Sequence, residues 1–381
     1  MRSHNVTKFL KLFCTIITIA HLPLYARKDF GENNDVSLNV DSDLRALYVN
    51  LYKSYGPRLQ KIVQLALDND FNGLVLDFKN EYGEVLYNSK AAAKFSPKSI
   101  KNAPLDNLKD FTRKLKEKGF YLIARVLVFK DNLYARQNLD CATLRGKERK
   151  NYFAKDKMAW VDPYCQKYWE YLLDFSKELA VSGIDEIQYD YIRFPDSSAD
   201  LFYPNKSRVT KSDLIRNFLK KARSHLSDTN VLISADVFGL VASFKGEMSI
   251  GQDWDKISPL VDYISPMIYP SHYPRGFRGL KVPDNFPYET IKHAIREINQ
   301  RNMMLDTGAK VRPWVQGFSA TWFKNHKKYK AKELQEQIKA LAEEGVTSYM
   351  IWNSASRYQQ FVIKSLSDED KKKKSSNEFN D

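Results

Sequence analysis

The sequence contains few cysteines and histidines and lacks the common catalytic motifs. Its 381 residues include three cysteines and six dispersed histidines, and none of them are grouped with the spacing of a zinc site. There is no G-x-S-x-G elbow, no HExxH and no Gly-rich phosphate loop. Cys14 lies in the apolar N-terminal stretch, which leaves Cys141 and Cys165. In an oxidising compartment these two could form one disulfide; two unpaired buried thiols remain an equal alternative.

Long apolar runs are also missing. Residues 12–24 form a run that contains His21 and is shorter than the roughly 20 residues of a spanning helix, so a polytopic membrane protein is excluded. The run follows a basic start and precedes Leu24-Tyr25-Ala26, the pattern of a secretory signal. We expect residues 1–26 to export the protein to the periplasm or the cell exterior. An uncleaved anchor, which would add a membrane association, is the alternative.

Acidic residues are in the minority, 46 against 60 Lys and Arg, which gives a net charge of +14. This charge suits an ordinary Lys-rich surface. It equally suits an anionic partner such as a cell-wall polymer, a membrane surface or nucleic acid. We expect no nucleic acid, because no binding motif is present and export argues against it. Residues 27–43 are predicted to be a flexible lead, and residues 364–381 a charged disordered tail.

The sequence is rich in short runs of β-branched and aromatic residues that alternate with segments of helical period. The predicted strands are 45–50, 73–79, 121–129, 186–193, 231–238, 263–269, 312–318 and 348–353. Over residues 44–363 this alternation predicts one (β/α)8 TIM barrel. A doubly wound open sheet is the alternative, although no Gly-rich loop follows the first strand. Residues 130–161 lack clear periodicity, which predicts a loop insertion after strand 3, over the barrel mouth.

Strands 4 and 5 each carry a carboxylate within an apolar run. Gln188 and Asp190 share one face of strand 4, and Ser234 and Asp236 share one face of strand 5. Neighbouring strands of a barrel place Asp190 and Asp236 side by side, at the end where active sites lie. Glycoside hydrolysis requires two such carboxylates, one ionised and one with a raised pKa. We therefore predict both as catalytic, with a hydrogen-bonded pair that orders the core as the alternative.

Further polar and aromatic residues at strand ends suit a sugar, whose C–H faces stack on rings while its hydroxyls form hydrogen bonds. The predicted substrate-binding residues are Asp77, Arg125, Gln188, Arg193, Tyr269, His272, Trp314, Gln316, Trp352 and Asn353. A structural ion pair with Arg125 or Arg193 is the alternative for Asp190, and a place in the core is the alternative for each ring. We predict no cofactor and no metal, with a divalent cation on Asp77, Asp190 and Asp236 as the minor alternative.

Several motif blocks resemble a known family. They include Asp185-Glu-Ile-Gln-Tyr-Asp-Tyr-Ile-Arg-Phe-Pro195, Ser234-Ala-Asp-Val-Phe-Gly-Leu240 and Ser265-Pro-Met-Ile-Tyr-Pro-Ser-His-Tyr273. Through them, residues 44–360 resemble the glycoside-hydrolase-like (β/α)8 barrel family, found in many bacterial exported proteins and long catalogued as a domain of unknown function.

The resemblance implies a TIM barrel in which Asp190 is the strand-4 nucleophile. Related barrels often use a Glu after strand 5 as the acid/base. The matching strand here offers Asp236, and Asp253, Asp255 or Glu247 on the loop that follows are alternatives. We therefore predict an exported glycoside hydrolase-like protein that acts on cell-wall or extracellular polysaccharide. A catalytically inactive glycan-binding barrel, which would need only the aromatic residues, is the alternative.

Overall fold

The computed structural model of the protein describes residues 43–101, 103–306 and 308–359. The predicted export segment at residues 1–26, nearly all of the predicted lead at 27–43 and the predicted tail at 364–381 lie outside the described residues. Within the described part of the chain, no helix is both long enough and apolar enough to cross a membrane.

Eight parallel strands form a closed barrel. They are β1 Arg45–Val49, β2 Gly73–Asp77, β3 Tyr121–Leu127, β4 Glu186–Asp190, β5 Leu232–Phe238, β6 Tyr263–Met267, β7 Trp314–Gln316 and β8 Tyr349–Trp352. Each strand pairs in parallel with the next, and β8 pairs with β1. A short strand, Lys310–Val311, pairs with β6 just before β7. This closed arrangement confirms the predicted (β/α)8 barrel. Its strands could be recognised in the sequence because strands covered on both faces form apolar runs.

Helices surround the barrel. They are α1 Leu51–Ser54, α2 Pro57–Asp68, α3 Lys90–Phe95, α4 Leu108–Lys116, α5 Asn132–Gln137, α6 Gln166–Ala180, α7 Lys211–His225, α8 Trp254–Ile257, α9 Pro287–Met303 and α10 Ala331–Glu343. Local signals fix their ends. The Thr210 hydroxyl accepts a hydrogen bond from the Asp213 amide and caps α7. Gly183 and Gly345 have φ of 93° and 75° just beyond α6 and α10, as expected for glycines that end helices.

The segment between β3 and α6 contains several short elements. It includes α5, and its strand Leu144–Arg145 pairs with Leu201–Phe202 from the loop after β4. A disulfide joins Cys141 to Cys165, the residue before α6. A buried ion pair of 3.0 Å joins Lys79, after β2, to Asp131, at the start of the segment. The absence of periodicity reflects the shortness of these elements, and these links fix the segment to the barrel.

The N-terminal end of the barrel contains a buried charge cluster. Glu186, the first residue of β4, accepts two hydrogen bonds of 2.9 Å from the Arg312 guanidinium and one of 3.0 Å from the Tyr121 hydroxyl. Glu186 is fully buried and Arg312 is 1% exposed. This cluster lies at the opposite end of β4 from Asp190, so we expect it to stabilise the barrel and to take no part in the site.

Replacing Glu186 with Ala is expected to lower the free energy of unfolding by roughly 3–5 kcal/mol, because it leaves the Arg312 charge buried without a partner. Urea unfolding followed by circular dichroism measures the effect. The double variant Glu186→Met with Arg312→Leu removes both charges and is expected to recover most of the loss. A single variant that is no less stable than the double variant would contradict this interpretation.

Candidate active site

A pocket of about 330 Å³ opens at the C-terminal ends of the barrel strands. Eight of the predicted site residues line it: Asp190, Asp236, Arg125, Arg193, Tyr269, His272, Trp314 and Trp352. They lie on strands β3, β4, β5, β7 and β8 and on the loops that follow β4 and β6, and closure of the barrel brings them together. The volume is within the range of ligand sites.

Asp190 is the last residue of β4 and is held firmly. Its Oδ2 accepts hydrogen bonds from Arg125 Nε at 2.9 Å and Nη2 at 2.6 Å, and its Oδ1 accepts one from the Tyr191 amide at 2.5 Å. Two N–H groups of one guanidinium thus donate to a single oxygen of Asp190, a charge-assisted contact that fixes the orientation of this side chain. Tyr191 follows with φ of 51°, a left-handed conformation that is costly for a bulky residue. The strand therefore ends in a sharp turn directly at this carboxylate.

Arg125 also contacts a second carboxylate. Its Nη1 donates to Asp77 Oδ1 at 2.9 Å, and the Tyr48 hydroxyl donates to the other oxygen of Asp77. Burial raises the pKa of Asp77, although Arg125 and the Tyr48 hydroxyl act in the opposite direction. Asp77 does not line the pocket. The prediction that Asp77 binds substrate is therefore replaced by a positioning role, in which it fixes the guanidinium that holds Asp190.

Asp236 lies on β5 and is only 1% exposed. Its Oδ1 accepts a hydrogen bond of 2.8 Å from the Trp314 indole, whereas its buried Oδ2 has no hydrogen-bond partner. Burial, and then the charge of Asp190, raise the pKa of Asp236 well above its usual range, against the opposing effect of Arg125. A buried carboxyl group with a raised pKa and one oxygen without a hydrogen-bond partner thus shares the pocket with a carboxylate held in an ion pair.

Aromatic rings form much of the pocket wall. Trp352 is half-buried, lies 4.0 Å from the Tyr48 ring between centroids, and stacks under the Arg125 guanidinium at 4.8 Å. Tyr269 is packed edge-on against His272 at 5.3 Å. Burial and then the charges of Asp236 and Asp190 raise the pKa of the Tyr269 hydroxyl. Ring faces next to hydrogen-bonding groups suit a sugar.

Three other predicted site residues do not reach the pocket. Gln188 lies in the barrel interior one layer below Asp190, where it contacts Ser265 and Met350. The Gln316 side chain bonds the Ser271 amide and Asp284. Asn353 bonds the backbone of Gly317 and of the turn after β8. Periodicity places a residue on a face of a strand but does not give its depth, so these residues support the site from below or from its edge.

The alternative acid/base residues also lie outside the pocket. Asp253 caps α8 through the Asp255 amide at 3.1 Å, and Asp255 pairs with Arg301 at 2.6 Å. Glu247 accepts a hydrogen bond of 2.7 Å from the Ser212 amide. Each therefore has a local structural contact, and Asp236 is the second carboxylate that accompanies Asp190. Within the described chain, no group of three or more His, Cys, Asp or Glu residues is arranged to hold a metal ion.

A family profile described as "Putative glycosyl hydrolase domain" matches residues 46–358, which is the whole barrel. The chain belongs to this family. The resemblance noted from the motif blocks is thereby confirmed, and the protein is a glycoside hydrolase-like barrel, a carbohydrate-active class. No protein with curated annotation matches the chain significantly.

Solved structures of glycoside hydrolases are similar to this barrel. The PgaB (BpsB) glycoside hydrolase domain from Bordetella bronchiseptica matches with a TM-score of 0.57 and 12% identity, covering 83% of this chain and 95% of that domain. An α-galactosidase from Thermus thermophilus matches with a TM-score of 0.50 and 11% identity, covering 88% of this chain and 61% of the other. At these identities the similarity concerns the fold.

The pocket of this glycoside hydrolase-like barrel includes six residues that sequence reasoning did not identify: Tyr191, Phe238, Gly239, Leu240, Met267 and Tyr273. All six lie in the motif blocks that also contain predicted site residues, so membership of a block was the signal that could have found them. Gly239 is a special case. A Cβ at this position would lie 2.6 Å from the Met267 carbonyl oxygen, so only glycine permits the approach of β5 to β6 here.

Replacing Trp352 with Ala is expected to weaken glycan binding about tenfold, roughly 1.4 kcal/mol, because it removes a stacking face. The loss of stability should be smaller than the roughly 3–5 kcal/mol of a fully buried Trp. Binding isotherms and thermal unfolding measure the two effects. Trp352→Phe keeps a ring and should retain most binding, whereas Trp314→Ala, at a residue 1% exposed, should mainly lose stability. Unchanged binding in Trp352→Ala would remove this residue from the site.

Proposed function

We propose that this protein is an exported glycoside hydrolase that acts on a cell-wall or extracellular polysaccharide. The observation that carries the proposal is the contrast between the two carboxyl groups in one pocket. Asp190 is held by Arg125 in a two-pronged ion pair, whereas Asp236 is buried with a free oxygen and a raised pKa. This difference in surroundings supports Asp236 as the proton donor and Asp190 as its carboxylate partner.

In this proposal Asp236 donates its proton to the glycosidic oxygen as the bond from that oxygen to the anomeric carbon breaks. Asp190 acts on the opposite face of the sugar. It either attacks the anomeric carbon as a nucleophile, in a retaining reaction, or removes a proton from the attacking water, in an inverting one. In the retaining case Asp236 recovers its proton from the water that releases the glycosyl intermediate. Arg125 fixes the orientation of Asp190 throughout.

Two further observations support the proposal. The Cys141–Cys165 disulfide suits an oxidising compartment outside the cytoplasm, which is where a cell-wall polysaccharide would be met. The rings of Trp352, Tyr269 and Trp314 provide apolar faces beside the carboxyl groups. The same rings would also suffice for an inactive barrel that only binds glycan, so the test must separate binding from cleavage.

The test measures release of reducing ends from peptidoglycan and from amino-sugar polymers, together with retention of the protein on the same insoluble glycans. Release by the wild-type protein supports the glycoside hydrolase. Retention without release on every polymer would favour the glycan-binding barrel, and neither release nor retention would contradict both functions.

A further inference from the structure

Arg193 brings into the pocket a positive charge that forms no direct ion pair with a carboxylate of the described residues. It lies half-buried on the loop after β4, with its guanidinium 4.9 Å from the centroid of the Trp160 ring and 4.8 Å from that of Phe238. Its Nη1 donates one hydrogen bond, 3.1 Å long, to the Phe194 carbonyl. Among the residues that the structure describes, no carboxylate lies within ion-pair distance of it. Of the two arginines that the sequence offered as ion-pair partners of Asp190, Arg125 forms the pair and Arg193 does not.

The other cations around the barrel mouth differ from Arg193 in this respect. Arg125 contacts two carboxylates, Lys79 pairs with Asp131 at 3.0 Å, and Lys130 pairs with Asp156 at 2.6 Å. A guanidinium has five N–H donors, and most of those of Arg193 are unused. Withdrawing a charge from water without a direct counter-ion costs free energy. Binding of an anion at such a site would therefore be favourable.

The surroundings of Arg193 also define what would bind there. Rings of Trp160, Phe238 and Tyr191 lie around the guanidinium and limit its movement. A planar guanidinium held in this way directs its remaining N–H groups outward in one plane, where they match the two oxygens of a carboxylate or phosphate. A neutral sugar hydroxyl would satisfy at most part of this donor set.

We propose that Arg193 binds a carboxylate or phosphate group of the substrate, so that the pocket selects an anionic glycan. The inference rests on the proposed glycoside hydrolase function and adds the substrate class to it. Arg193 lines the same pocket as Asp190 and Asp236, so the anionic group lies close to the bond that is cleaved. The net charge of +14 would attract such a polymer from a distance.

The test compares matched pairs of polymers by isothermal titration. One pair is polygalacturonate oligomers and their carboxyl-reduced neutral form; the other is phosphomannan and its dephosphorylated form. The wild-type protein should bind one charged polymer about ten- to a hundredfold more tightly than its neutral partner, the range of a charge-assisted hydrogen-bonded pair. Whichever pair shows the preference identifies the anionic group. Arg193→Gln should abolish the preference, because affinity for the charged polymer then falls to that for its neutral partner.

Two further variants control this experiment. Arg136→Gln removes the same charge from an exposed residue that also stacks on a ring, Phe153 at 5.3 Å, but lies outside the pocket, so it should keep the preference. Arg193→Lys keeps the charge but lacks the planar guanidinium, so it should keep only part of the preference for the charged polymer. This variant provides the test if Arg193→Gln does not fold.

The proposal is overturned if the wild-type protein binds both members of each pair equally or binds none of the four polymers. A preference that survives in folded Arg193→Gln would overturn it as well. Binding needs no turnover, so the two proposals fail separately. An inactive barrel that still discriminates refutes only the hydrolase, and an active enzyme that does not discriminate refutes only the anionic substrate.

Discussion

Asp190→Asn is expected to reduce glycan cleavage on the order of 10³–10⁶-fold, the range for loss of a general base or nucleophile. Asn matches the shape of Asp but neither attacks an anomeric carbon nor accepts a proton from water. The fold should survive. Arg125 pairs with Asp77 as well as with Asp190, so the variant leaves its guanidinium with one carboxylate partner. Release of reducing ends and thermal unfolding, measured on the same preparation, check both expectations.

The matched control is Asp255→Asn, which removes one carboxylate charge from α8, outside the pocket. It should cleave at the wild-type rate. If Asp190→Asn instead lost its cooperative unfolding transition and Asp255→Asn did not, Asp190 would be a structural residue. If a folded Asp190→Asn protein cleaved glycan at the wild-type rate, the catalytic assignment would be wrong.

Asp236→Asn is expected to reduce cleavage of natural glycans on the order of 10²–10⁴-fold, because it removes the proton donor. Aryl glycosides with strongly acidic leaving groups need no such proton and should lose little activity. In the wild-type protein, activity should fall as pH rises through the raised pKa of Asp236, because the acid is then deprotonated. Initial rates against pH, for an aryl glycoside and a glycan of the same sugar, measure both effects.

The same carboxyl group should make the stability of the protein depend on pH in the same direction as its activity. In the unfolded chain the pKa of Asp236 has its ordinary value, whereas burial raises that pKa in the folded state. Between these two values the folded protein holds a proton that the unfolded chain has released. The free energy of unfolding of the wild-type protein therefore falls as pH rises through this interval.

Asp236→Asn should lack that contribution and be at least as stable as the wild-type protein at pH 7. Asp77, whose pKa is also raised, contributes equally to both proteins and cancels in the comparison. Urea unfolding at a series of pH values gives the two slopes. Identical slopes, together with unchanged cleavage of natural glycans, would show that Asp236 neither holds nor donates the proton.

The barrel itself was predictable from the sequence because its signals are local. Each of the eight strands is a short apolar run, and glycines such as Gly183 and Gly345 end the helices before the strands. Alternation along β4 and β5 also placed Asp190 and Asp236 on inward faces. The short elements between β3 and α6 could not be predicted, since their order depends on the disulfide and on the Lys79–Asp131 ion pair.

By itself, the sequence determined the closed barrel, the end at which its polar residues gather and the two carboxyl groups within it. Only the tertiary structure decided how those groups differ. Arg125 reaches Asp190 from the neighbouring strand, whereas Asp236 accepts a hydrogen bond from an indole and keeps one buried oxygen without a partner. The tertiary structure also showed how the two arginines differ: Arg125 pairs with two carboxylates, whereas no carboxylate in the described chain pairs with Arg193. The reason is physical: residue type and period fix a direction along one strand, whereas burial, charge pairing and pKa depend on side chains that come from other strands.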